Sequence, residues 1–96
     1  MKNISLLGST GSIGQSTLSV VEKFPDRFSV IALAAGNNSE LLEKQIRKFK
    51  PRIAAISGEK AAEGLRKRCG DLPVRILSGI EGMIQVAAAE EANITV

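Results

Sequence analysis

Histidine, tryptophan and tyrosine are absent from this 96-residue sequence, and cysteine occurs once. Without histidine no imidazole is available as a general base or metal ligand, and a lone cysteine allows neither an internal disulfide nor a paired-thiolate metal motif. Cys69, near the end of an expected helix and with no histidine to activate it, reads as packing and not as a nucleophile. Three phenylalanines are the only aromatics, and the 13 Lys and Arg against 10 Asp and Glu give a net charge of +3. Those positive residues, among them Lys44, Arg47, Lys48, Arg66, Lys67 and Arg68, recur at helical spacing. They read as solvated helix faces, and with so few aromatics to stack on bases no nucleic-acid partner is expected. No apolar run approaches the roughly 18 residues of a membrane span. The opening MKNISLLG lacks the features of a secretory or organelle leader, so no membrane association and a cytoplasmic location are expected.

What the sequence does contain is a regular alternation. Apolar runs of strand length at residues 4–8, 28–36, 52–57 and 74–77 are each followed by an amphipathic stretch of helix length, at 12–24, 38–50, 59–69 and 80–92. In the first of these helices Ile13, Leu18, Val21 and Phe24 fall near one face of a 3.6-residue period. Pro25, Pro51 and Pro73 punctuate the pattern, and Gly70 closes the third helix. The second helix opens on Asn38 or Ser39 as N-cap, with Glu40 and Glu43 early and basic residues late, as the helix dipole favours. Strands that are apolar throughout belong to a parallel sheet covered on both faces, and β-α alternation with short connections selects a doubly wound, Rossmann-like α/β fold. The closing NITV reads as a fifth strand just begun, which leads us to expect residues 1–96 to be an incomplete N-terminal domain of a longer enzyme.

The first strand-to-helix turn carries the chemistry. In LLGSTGSIGQST, Gly8, Gly11 and Gly14 recur three apart, at the turn where a doubly wound sheet holds its ligand. Such a turn leaves backbone N–H groups and the positive end of a helix facing outward, which suits a pyrophosphate. Gly8 is expected to permit the tight turn, Gly11 the approach of the phosphates, and Gly14 the close packing of helix on strand. Thr10 and Ser12 add hydroxyl donors. The GxxGxxG spacing differs from the commoner GxGxxG, and no Lys precedes a hydroxyl as a P-loop requires. About 20 residues on, where an NAD site carries Asp or Glu, this sequence reads Ala34, Ala35, Gly36, Asn37, Asn38. With no carboxylate there to repel a 2′-phosphate, the site leans to NADP(H), although Gly36 and the two asparagines also suit a simple turn and N-cap. No pair of carboxylates or metal-ligand cluster stands out: Glu40, Glu43, Glu59, Glu63, Glu81, Glu90 and Glu91 all fall on expected helices and read as solvated. No catalytic residue and no metal ligand is assigned.

The stretch GSTGSIG with Thr17 and Leu18 behind it, together with ALAAGNN at 32–38, resembles the N-terminus of the 1-deoxy-D-xylulose 5-phosphate reductoisomerase family, and the similarity extends over FKPRIAAIS at 49–57. The resemblance implies an NADPH-dependent enzyme of isoprenoid precursor synthesis. Such an enzyme rearranges and reduces 1-deoxy-D-xylulose 5-phosphate to 2-C-methyl-D-erythritol 4-phosphate with a divalent metal, Mg2+ or Mn2+, usually as a homodimer. Carried onto this sequence, it implies cofactor contacts at Thr10, Gly11, Ser12 and Ile13 around the pyrophosphate. It implies further contacts at Gly36, Asn37 and Asn38 around the adenosine ribose phosphate, Asn37 standing where some members have a basic residue. The metal ligands and the residues for the sugar-phosphate substrate would lie beyond position 96, so this stretch by itself is expected to bind cofactor and catalyse nothing. Two alternatives share the same first turn. An NADP-dependent semialdehyde or sugar dehydrogenase would need a downstream Cys or His, and a non-catalytic nucleotide-sensing module would be expected to end at a natural boundary.

Overall fold

The computed structural model describes residues 1–96. Five strands, β1 (Lys2–Leu7), β2 (Phe28–Ala35), β3 (Ile53–Ile56), β4 (Arg75–Ser78) and β5 (Ile94–Thr95), alternate with four helices, α1 (Ser12–Lys23), α2 (Ser39–Phe49), α3 (Glu59–Arg68) and α4 (Gly79–Ala87). The sheet is parallel throughout, in the order β4-β3-β2-β1-β5. From β1 to β4 the chain steps steadily in one direction. It then reverses to place β5 on the far side of β1. Because parallel crossovers are right-handed, the reversal obliges the last helix to cross the opposite face of the sheet from the first three. The doubly wound arrangement expected from the alternation is the one observed, and its switch point lies between β1 and β5.

The two faces are packed differently. Under α1, α2 and α3 lies a core of large side chains, Leu18, Val21, Leu42, Ile46 and Leu65 from the helices meeting Ile4, Leu6, Val30, Leu33 and Ile56 from the strands. Each fully buried aliphatic side chain of this kind contributes about 1.5–3 kcal/mol. Under α4 the sheet offers Ile31 and three alanines, Ala32, Ala34 and Ala55, to Val86. Small residues let the helix lie close: a Cβ on Gly82 would stand 3.2 Å from the Cβ of Ala55 and 3.0 Å from that of Leu77. Nine residues of α4 extend about 13 Å, which carries the chain across most of the roughly 19 Å of four strand spacings between β4 and β5. A register shift between Ile4 and Ser5, where Ser5 pairs with Ala32 in place of Ile31, adjusts β1 beneath it.

Three expectations are corrected. Of the residues placed on one face of α1, Leu18 and Val21 are buried, whereas Ile13 and Phe24 are 76% and 46% exposed. Ile13 sits in the first turn beyond the end of β1. Phe24 lies past the helix end, where the Arg27 guanidinium stands 5.9 Å from its ring centroid. The last helix ends at Ala87, not residue 92, so Glu90 and Glu91 lie in a turn and not on a helix. Its end is held from below, because the buried Ser5 hydroxyl donates to the Val86 carbonyl, which also accepts the Ala89 N–H at 3.4 Å. Further helical turns would carry the chain away from the edge of β1, where the Asn93 N–H donates to the Asn3 carbonyl at 2.8 Å and β5 begins.

Candidate functional site

Leu7 ends β1 at the carboxyl edge of the sheet, and Gly8 turns the chain with φ +69°, a conformation that glycine adopts without steric cost. The Ser9 N–H is then tied to the Ala34 carbonyl of β2 at 2.8 Å, and the Gly11 N–H to the Gly8 carbonyl at 3.1 Å. Gly14 brings α1 down on this turn so closely that a Cβ there would stand 2.2 Å from the Gly8 carbonyl oxygen and 2.8 Å from Ser9 Cα. At Gly11 a Cβ would meet only the Gly8 oxygen, at 3.5 Å. Gly8 and Gly14 are therefore demanded by the fold itself. Gly11 is not.

The loop has donors to spare. The backbone N–H groups of Thr10, Ser12 and Ile13 make no hydrogen bond within the chain. Gly11, the N-cap of α1, provides no side-chain cap, and α1 is the one helix of the four with no acidic residue in its first turn. Free N–H groups at an uncapped helix N-terminus present a concentrated positive field to an anion. Ser12 and Ile13 line an open groove of about 490 Å³ between the ends of β1 and β5, together with Leu7, Gly8, Gly11 and Val96 among others. This is the crevice at the switch point of the sheet. Gly11, Ser12 and Ile13 are exposed along its rim, and the half-buried Thr10 precedes them in the turn.

The second group of expected residues lies at the end of β2, one strand away. Gly36, Asn37 and Asn38 are all exposed, and nothing stands within 4 Å of where a Gly36 Cβ would be. Asn38 is the N-cap of α2: its Oδ1 accepts the Leu41 N–H at 3.1 Å, which commits that oxygen to the helix and leaves its NH2 free. Both readings of the asparagines are therefore compatible. Ser57, just past β3, is a participant that the sequence reading misses. Its N–H and its hydroxyl both donate to the Gly36 carbonyl, at 3.1 and 2.5 Å, and its Oγ lies 3.0 Å from Asn37 Oδ1. With one hydroxyl proton to give, Ser57 can serve either the Gly36 carbonyl or the Asn37 amide oxygen at a time. A hydroxyl at the carboxyl end of a strand was the available signal.

Of the acidic residues in the first turns of α2, α3 and α4, Glu59 is the one that is paired. Glu59, at the start of α3, accepts from the Ser78 hydroxyl and from Arg66 at 2.8 Å, and these bonds hold its carboxyl below the ordinary glutamate range. Farther off, Glu43 of α2 accepts from Arg68 at 2.5 Å and Arg47 at 3.3 Å, with Arg68 the main cause of its lowered pKa. Such exposed pairs tie α2 to α3 and account for much of the basic charge. Cys69 is buried and its thiol pKa is pushed up by that burial, as a packing residue requires. No group of three or more His, Cys, Asp or Glu side chains gathers in the chain.

Comparison with known proteins follows the same lines. Residues 4–96 match the family described as 1-deoxy-D-xylulose 5-phosphate reductoisomerase. Among curated relatives, the reductoisomerase of Chlorobaculum tepidum is 48% identical over the whole chain and that of Microcystis aeruginosa 53% identical over 90 residues. The chain spans about a quarter of the length of these relatives, 25% and 23% respectively. Among solved structures, a DOX-P reductoisomerase in complex with NADPH, fosmidomycin and magnesium superposes with a TM-score of 0.93 at 31% identity. It covers 99% of this chain, which in turn spans 24% of that one. The Zymomonas mobilis enzyme in complex with NADPH gives a TM-score of 0.91 at 30% identity, over 98% of this chain and 24% of its own.

Proposed function

The chain belongs to the 1-deoxy-D-xylulose 5-phosphate reductoisomerase family, and from that premise we propose that residues 1–96 form its N-terminal NADP(H)-binding portion. The observation that carries this reading is the loop of residues 8–14. It spends its glycines on folding a tight turn and leaves the N–H groups of Thr10, Ser12 and Ile13 unpaired at the head of α1. Thr10, Gly11, Ser12 and Ile13 would hold the pyrophosphate. Gly36, Asn37 and Asn38 would receive the adenosine ribose, where amide donors and the lack of a carboxylate favour a 2′-phosphate. NADPH supplies a hydride when bound, and this stretch binds and orients it.

The complete enzyme, in this reading, rearranges and reduces 1-deoxy-D-xylulose 5-phosphate to 2-C-methyl-D-erythritol 4-phosphate in the cytoplasm as a homodimer. A divalent cation, Mg2+ or Mn2+, and the sugar phosphate would be held by residues outside this chain, and no catalytic step is assigned to the residues within it. Calorimetric titration of the folded chain with NADPH, NADH and ATP tests the cofactor assignment. Tighter binding of NADPH than of the other two is expected. A chain whose circular dichroism shows it folded and which binds none of them, or which prefers NADH, would overturn it.

A further inference from the structure

A loop that turns its N–H groups toward a phosphate must also dispose of its carbonyl oxygens, which would repel the same phosphate. Two glutamines do this here. Gln15 Nε2 donates to the Thr10 carbonyl at 3.0 Å, and Gln45 Nε2 donates to the Ser9 carbonyl at 2.8 Å. Gln45 is the unexpected one. It comes from the middle of α2, beside Ile46 on the stripe that packs against the sheet, and is only 6% exposed. An amphipathic helix would ordinarily place an apolar residue there. Because a carbonyl can only accept, the amide nitrogen must face Ser9, which fixes the orientation of the whole side chain.

That orientation leaves two buried atoms without partners, Gln45 Oε1 and Ser9 Oγ, on the two residues that this bond already joins. Ser9 is fully buried under the loop. Its hydroxyl can donate and the amide oxygen can accept, so the two unpartnered atoms are chemically complementary. A polar group is kept in the core at this point, and its one hydrogen bond goes to the glycine turn.

We propose that Gln45 is a positioning residue for the phosphate-binding loop: by holding the Ser9 carbonyl back from below, it keeps the N–H groups of Thr10, Ser12 and Ile13 aimed outward. The inference rests on the NADP(H) reading above and deepens it. Gln45 does not reach the cofactor and acts through Ser9.

The test compares the chain with Gln45→Met, which keeps length and bulk but removes the donor, and Gln45→Glu, which keeps shape but sets a carboxylate against the Ser9 carbonyl. Three quantities are read: the thermal midpoint without cofactor, hydrogen exchange of the loop amides, and NADPH affinity from pH 5 to 8. Gln45→Met is expected to melt near the wild-type temperature, exchange the hydrogen-bonded loop amides of Ser9 and Gly11 faster, and bind NADPH about tenfold more weakly. Gln45→Glu is expected to bind poorly at pH 8 and to recover toward wild type as the carboxyl takes up a proton and becomes a donor to Ser9. Equal affinity and equal loop exchange in wild type and Gln45→Met would overturn the inference while leaving the cofactor reading intact. So would losses of affinity that merely follow the thermal midpoint, with no recovery of Gln45→Glu at low pH. A folded wild-type chain that binds no NADPH would instead overturn the cofactor reading, and the purpose assigned to Gln45 with it.

Discussion

Replacing Gly11 and Gly14 one at a time separates the part of the loop that folds from the part that meets a ligand. At Gly14 the added Cβ of alanine would lie 2.2 Å from the Gly8 carbonyl oxygen, more than an ångström inside normal contact, and the atoms in its way are backbone. Either α1 lifts off the turn or the turn unwinds. Overpacking of this kind costs about 1–3 kcal/mol, and at about 4–8 °C per kcal/mol for a domain of this size the midpoint should fall by roughly 5–20 °C. At Gly11 the backbone is extended, with φ −79° and ψ 175°, and the first atom met lies at 3.5 Å. Valine fits there. Its poorer N-cap propensity, about 0.5–1.5 kcal/mol, is partly offset by about 0.4–1 kcal/mol from the reduced freedom of the unfolded chain, so Gly11→Val should melt within a few degrees of wild type. Binding should respond in the opposite way. An isopropyl group between the loop and a pyrophosphate removes at least two charge-assisted backbone hydrogen bonds, each worth about 1.5–3 kcal/mol, which is a loss of more than about 100-fold in NADPH affinity. Melting followed by circular dichroism and binding followed by calorimetry measure the two effects separately. A Gly11→Val chain that binds NADPH as tightly as wild type would refute the placement of the pyrophosphate. A Gly14→Ala chain with an unchanged midpoint would refute the close approach of α1 on which the loop geometry depends.

Three further perturbations address the rest of the molecule. Asn37→Asp sets a carboxylate beside the proposed 2′-phosphate, and the ratio of NADPH to NADH affinity should fall; a ratio that stays put in titrations would show that residue 37 does not face the ribose. Ser5→Ala removes the buried donor to the Val86 carbonyl at the end of α4, costing about 1–2 kcal/mol and lowering the midpoint by roughly 5–15 °C, which thermal melting reads directly. Glu43 and Glu59 have carboxyls held below 4.5 in the folded chain. Their stabilising contribution is therefore complete above the unfolded-state pKa and lost as pH falls through the lower folded values. The midpoint should be level from pH 7 to 5 and decline below about pH 4, and the double variant Glu43→Gln, Glu59→Gln should flatten that decline in a pH series.

The fold and the loop were legible in the sequence because both are written in local terms. Alternating apolar runs and amphipathic stretches needed no partner to be recognised, and the three glycines stood at the one turn where a parallel sheet makes them meaningful. What escaped was set by contacts between distant residues. Ile13 has helical spacing with Leu18, but periodicity cannot say that the sheet stops at Leu7 and leaves the first turn of α1 overhanging a groove, where an apolar side chain is exposed. The end of α4 rests on Ser5, 81 residues before Val86, whose hydroxyl donates to the Val86 carbonyl. No propensity in an alanine-rich stretch announces that.

Gln45 carries the same lesson into the site. Read along α2 it is one polar residue among many, and only its burial beside Ile46, with its amide on the Ser9 carbonyl 36 residues away, marks it as part of the turn. Ser57 likewise gains meaning only when β3 is laid beside β2 and its hydroxyl meets Gly36. Motifs therefore pointed to the residues proposed to touch a cofactor, whereas the residues that hold those in place come from neighbouring elements and have no motif. A glycine turn is permissive by nature and could point its peptides in several directions. The specificity of its direction comes from the donors packed behind it, so variants in that supporting layer should alter binding while the GxxGxxG sequence stays untouched.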